Sequence, residues 1–174
     1  MLMEKYLKDF QFNKVHKIEI SAKPHDIYST IEHTDFYQSK IIKLLFTIRR
    51  LPKNMFSPEG FNKVGIMVLE EKVGEESVLG AIFKPLVFRP VSVSPDEFRE
   101  FNEKGYVKVV MNFFVSKIDE KRSLLSTESR VFCTSRKARL MFTPYWLLLN
   151  RFIGLVRIVM LRRLKQEAEK SSHY

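Results

Sequence analysis

The stretch Phe142–Leu161, FTPYWLLLNRFIGLVRIVML, most constrains how this chain folds. It is twenty residues long, mostly apolar, and lies inside a helical pattern running from Arg136 to Lys170. At about 100° per residue, Leu148, Phe152, Leu155 and Val159 share one flank. Leu149, Ile153, Val156, Met160 and Leu164 share the adjoining one. Asn150, Arg151, Arg157, Arg162 and Lys165 fall on the other side. The apolar arc covers about half the circumference, so the helix needs a broad surface to bury against. A membrane span has the same length. Asn150, Arg151 and Arg157 near the middle argue against one, because an Arg at the bilayer centre costs about 2.5–3.5 kcal/mol on insertion scales. Pro144 and Gly154 are points where a kink or a close backbone contact is expected.

The residues before this helix read as the sheet it lies on. The first strand is read over Lys14–Ala22, with His16, Ile18 and Ile20 on one face. Pro24 and Asp26 suit the first turn of a short helix whose apolar side is Ile27, Tyr28 and Ile31. A second helix is read from Thr34 to Arg50, stopped by Pro52, with a loop after it. Strands follow over Lys63–Lys72 and Ser77–Lys84 around a VGEE turn, and a short one over Lys84–Pro90. Ser94-Pro95-Asp96-Glu97 is a helix-start signature. Two long strands, Tyr106–Ile118 and Ser123–Thr134, flank the hairpin turn DEKR, and Ser135 caps the final helix. In the first of these strands Val107, Val109, Met111, Phe113 and Val115 alternate onto one face. Strands in a run beside segregated helices predict an α+β fold, a curved antiparallel sheet gripping the last helix.

The length of 174 residues predicts one domain, with 1–12 as an N-terminal arm and 135–170 as the long C-terminal helix. Fifteen Phe and seven Met fill a core or line an adaptable apolar pocket. A single cysteine, Cys133, allows no internal disulfide, and the N-terminus has no signal-like apolar run. A cytoplasmic location is expected. The histidines His16, His25, His33 and His173 are scattered, so no metal or other cofactor is expected.

The net charge is +10, and Ser135–Gln166 holds eight basic residues and no acidic one. Such a face is either solvated or meets an acidic partner. A weak contact with anionic membranes is one expectation. Nucleic acid is not expected, because no RNA-binding or recognition-helix motif accompanies the charge. The oligomeric state is not legible.

The element order and several local stretches resemble the START-like (SRPBCC) superfamily, whose architecture is the helix-grip fold. IEISAKPHDIYSTI resembles its opening, a strand ending in Ala-x-Pro before a short helix. LSTESRVFCTSRKARLMFTPYWLLLNRFIGLVRIVMLRRLKQEAE resembles a group of small bacterial domains of unassigned function, with Ile153 where their pattern has a Ser. The resemblance implies an apolar cavity between sheet and long helix, holding a hydrophobic or amphipathic molecule that is lipid-like or polyketide-like. It implies carriage or binding, or alternatively an enzyme of the polyketide cyclase/dehydratase type; the fold alone does not decide.

Seven residues are candidates for such a site: His16, Met111, Phe113, Glu128, Arg130, Tyr145 and Trp146. Glu128 and Arg130, two apart on one strand, face the same side. They either fix a ligand head group or form a salt-bridge surface worth about 0–1 kcal/mol. The opposite face, with Thr127, Ser129, Val131 and Cys133, is more apolar and is the other candidate for the inward side. His16 either faces inward as an acid or base or is a satisfied core residue. Tyr145 and Trp146 either close one end of a cavity or pack in the core. No nucleophile set and no phosphate loop is legible.

Overall fold

A computed structural model describes residues 1–33, 65–85 and 90–171. The helix read over Thr34–Arg50, the loop after it and the centre of the strand read over Lys84–Pro90 lie outside these residues, as do the side chains of Leu149 and Ile153. In chain order the elements are α1 (Met3–Tyr6), β1 (Phe12–Ile20), α2 (Pro24–His33), β2 (Ile66–Lys72), β3 (Glu76–Phe83), β4 (Pro90–Val91), α3 (Pro95–Glu100), β5 (Val107–Lys117), β6 (Ser123–Cys133) and α4 (Arg136–Ser171). The strands form one open antiparallel sheet in the order β1-β6-β5-β3-β2, with β4 paired to β3. This is the expected α+β arrangement of a sheet against one long C-terminal helix.

Local chemistry fixes the boundaries. Asp119 Oδ1 accepts the backbone N–H groups of Lys121 (2.9 Å) and Arg122 (2.8 Å), closing the β5–β6 turn through its side chain. Ser94 and Glu97 make the reciprocal capping box that their spacing predicts. Ser135 Oγ accepts from Ala138 N (3.1 Å) at the start of α4. Gly74, at φ +80°, makes the β2–β3 turn.

The central strands of the sheet are covered on both faces. On one face lies α4, over two apolar clusters. Phe142 and Trp146 pack with Val107, Val131 and Cys133 near its start. Leu161, Leu164 and Ala168 pack with Ile20, Ile27, Val115 and Leu125 near its end. On the other face, α1 and α3 bring Met3, Leu7 and Phe98 against Leu69, Val78, Ile82 and Val110. The N-terminal arm, read as loose or as a short helix, forms the short helix α1 and is part of a second core. Gly80 allows this packing, since a Cβ there would lie 2.6 Å from Leu69 Cδ1 and 2.9 Å from Phe98 Cε2.

Among the described residues no single helix is long and apolar enough to cross a membrane. Arg136–Leu148 and Asn150–Ser171 together have the length and composition, across a bend of 50°.

Candidate ligand site

The side of α4 that meets the sheet is read from its buried residues: Ala138, Phe142, Trp146, Gly154, Arg157, Leu161, Leu164 and Ala168. Asn150, half-buried, completes the four- and three-residue steps. Both ends of this stripe are apolar and its middle is polar. Asn150, Gly154 and Arg157 form a polar waist between the two clusters.

Arg157 is the centre of the waist. It was expected on the outer, charged side of the helix, and the structure turns it inward to 7% exposure. Its guanidinium donates to Thr127 Oγ1 at 3.2 Å and to Ser129 Oγ. It makes no ion pair among the described residues. Burial pushes its pKa down to about 10, so it stays charged at neutral pH.

His16 sits opposite Thr127 in the β1–β6 ladder, beneath Gly154, where a Cβ would lie 3.5 Å from its Nε2. Its Nδ1 and the Asn150 Oδ1 are buried with no hydrogen-bond partner among the described residues. Burial, then the charges of Arg157 and Lys14, lower the His16 pKa, so its ring is neutral at pH 7. Met111 pairs with Ser129 and Phe113 with Thr127 across β5–β6, so both face α4, half-buried beside the waist.

The other sequence candidates separate. Tyr145 and Trp146 belong to an aromatic cluster at the start of α4; Trp146 lies 5.4 Å from Phe12 and Tyr145 5.4 Å from Phe142, centroid to centroid. Glu128 and Arg130 are on the opposite face of the sheet, which corrects their reading as head-group ligands beneath the helix. Arg130 Nε donates to Glu128 (2.7 Å) and Nη1 to Leu7 O (3.2 Å), with the guanidinium 5.0 Å over Phe10. Glu76, 1% exposed, accepts from Leu2 N (2.6 Å) and from Asn112 Nδ2 (2.7 Å). These charges tie down the N-terminal arm. They pair on the face that the arm covers, across β3, β5 and β6.

Arg157 and Asn150 are the part of the site that the helical wheel missed, whereas Thr127 and Ser129 lie on the strand face offered as the other candidate for the inward side. The signal for Arg157 was its place, eleven residues after Trp146 and four before Leu161, in the row that the aromatic cluster points inward. Elsewhere, an open cleft of about 390 Å³ lies between Lys23, Pro24, His25, Gly74, Lys117, Asp119 and Glu120, at the β5–β6 turn. Among the described residues no three His, Cys, Asp or Glu are grouped to hold a metal ion.

No protein-family model matches the chain, and no curated protein sequence matches it. Several solved structures are similar to it at low identity. A conserved protein from Geobacillus kaustophilus is 10% identical with a TM-score of 0.40, covering 93% of this chain and 95% of that one. The ZhuI aromatase/cyclase from Streptomyces sp. R1128 is 11% identical, with a TM-score of 0.38 over 91% and 94%. The di-domain ARO/CYC StfQ from the steffimycin biosynthetic pathway is 11% identical, with a TM-score of 0.44. It is matched over 96% of this chain and 54% of its own length, so this chain spans about half of it. Likeness at this level carries no argument about activity.

Proposed function

We propose that the protein binds a hydrophobic or amphipathic small molecule between the sheet and α4, with an acidic head group at Arg157 and an apolar body along Met111 and Phe113. The observation that carries this is a buried guanidinium whose described partners are neutral hydroxyls. A charge out of water is costly unless it is paired. A carboxylate accepts two parallel N–H bonds from such a fork. The apolar clusters on either side of the waist favour a ligand with a hydrocarbon body.

The test compares dodecanoate with dodecanol by calorimetry, alongside native mass spectrometry of the purified protein for a co-purified amphiphile. Dodecanoate is expected to bind at least tenfold more tightly, and Arg157→Met to erase the difference. Equal affinity for the acid and the alcohol in the wild-type protein overturns the reading.

A second reading rests on His16. A neutral imidazole with an unpartnered Nδ1, beside a fixed positive charge, is suited to accept a proton from a substrate whose developing oxyanion faces Arg157. This is a cyclase- or dehydratase-type site on the same ligand space. Turnover of a poly-β-ketone analogue that His16→Gln abolishes, with binding retained, selects it over carriage.

A further inference from the structure

We propose that the outward face of α4 is a docking surface for anionic lipid membranes. This goes beyond the ligand site and uses the opposite side of the helix. Turning Arg157 inward turns the flank of Leu148 and Leu155 outward. Leu147 and Leu148 are each 68% exposed, Leu155 46%, Phe152 41% and Ile158 39%. Leu140, 66% exposed, extends the row toward the helix start. Scattered exposed leucines are ordinary, but a row of them along one helix marks an interaction surface.

Charge selects the occupant. Arg136, Lys137, Arg139, Arg151 and Arg162 are exposed on the same helix, and no acidic residue occurs between Ser135 and Gln166. A second copy of this face would set arginine against arginine, which opposes self-association. An anionic bilayer instead offers phosphates to the cations and acyl chains to the leucines. Arg151 and Arg162 lie within the apolar row, so they reach up to the phosphates along their stems while Leu148 and Leu155 enter the acyl boundary. The depth is shallow for that reason. The positive charges bind only while unscreened, within a Debye length of the lipid.

Vesicle co-sedimentation tests this with the full chain. Phosphatidylcholine vesicles are compared with a seven-to-three mixture of phosphatidylcholine and phosphatidylglycerol, at low and physiological salt. The mixture is expected to retain the protein at least tenfold better at low salt, and physiological salt to weaken it. Leu148→Ser with Leu155→Ser, at exposed positions, is expected to lower the partition at least tenfold without changing Tm. Arg151→Gln with Arg162→Gln is expected to remove most of the salt dependence. Equal recovery on neutral and anionic vesicles overturns the proposal, as does an unchanged partition of the serine variant. So does a vesicle-free dimer by analytical ultracentrifugation that the serine variant converts to monomer. Dodecanoate affinity is read in parallel, and its failure leaves this proposal standing on its own vesicles.

Discussion

Arg157→Met exchanges a buried guanidinium for an unbranched side chain of similar reach and near-equal helix propensity. In the folded protein burial alone lowers the arginine pKa to about 10. At 1.36 kcal/mol per unit, keeping the charge costs about 3 kcal/mol. Methionine removes that cost and leaves the Thr127 and Ser129 hydroxyls to find other partners, at about 1 kcal/mol each. The net expectation is a gain of about 1–2 kcal/mol, although most substitutions at buried positions destabilise. For a chain of this size that raises Tm by about 2–8 °C. The wild-type cost is complete below pH 10. The unfolded chain keeps the ordinary, higher arginine pKa and binds more protons once pH passes 10, so wild-type stability rises with pH there, and the variant lacks this rise. Differential scanning calorimetry of the ligand-free protein at pH 7 reads the effect, with dodecanoate titration on the same sample. A Tm lower by several degrees refutes the reasoning, because the guanidinium would then be a structural tie and not a charge held for a ligand.

Three further outcomes follow from other parts of the fold. Deleting residues 2–8 removes Met3 and Leu7, 0% and 6% exposed, and should lower unfolding stability in urea by about 3–6 kcal/mol, at about 1.5–3 kcal/mol for each buried side chain; an unchanged midpoint refutes the second core. Burial raises the Cys133 thiol to about 11, so at pH 8 about one molecule in a thousand is thiolate, and labelling by a disulfide reagent should accelerate at least tenfold on unfolding. Because the His16 pKa is lowered in the folded state, the unfolded chain binds more protons as pH falls through the usual histidine range; stability should decline from pH 7 toward 5, and His16→Gln should flatten that slope in thermal melts.

Much of this architecture was legible in the sequence, and the reasons for the rest are physical. The long helix was read over Arg136–Lys170 and spans Arg136–Ser171. Turn and cap residues act locally, so Ser94, Ser135 and the DEKR turn located their element ends. The first strand begins at Phe12, two residues earlier than read, because Phe12 packs on Phe142 and Trp146 far along the chain. The rotation of α4 was not legible. Leu148 and Leu155 are as apolar as Leu161 and Leu164, so a helical wheel cannot tell which flank meets the sheet. Alternation placed Glu128 and Arg130 on one face but could not say which face carries the helix. Nine of eleven residues in β6 are buried, since α4 covers one side and the N-terminal arm the other. A strand covered on both sides loses the polar alternation that would orient it.

The two covers explain how the waist is tolerated. On the N-terminal face, each buried charge has a partner: Glu76 with Asn112 and the α1 backbone, Glu128 with Arg130, and Lys108 with the carbonyls of Arg99 and Phe101. That face is a satisfied core, and it stabilises the same strands that hold His16's neighbours Thr127 and Ser129 in register. Under α4 the rule changes midway along the helix, where, among the described residues, Arg157 is buried without an acid and two polar atoms have no partner. A sheet already anchored from behind can carry such a deficit in front, where binding sites are built on rigid elements at a cost in stability. On the proposed function, the polarity of the waist serves the ligand's head group and not the stability of the fold.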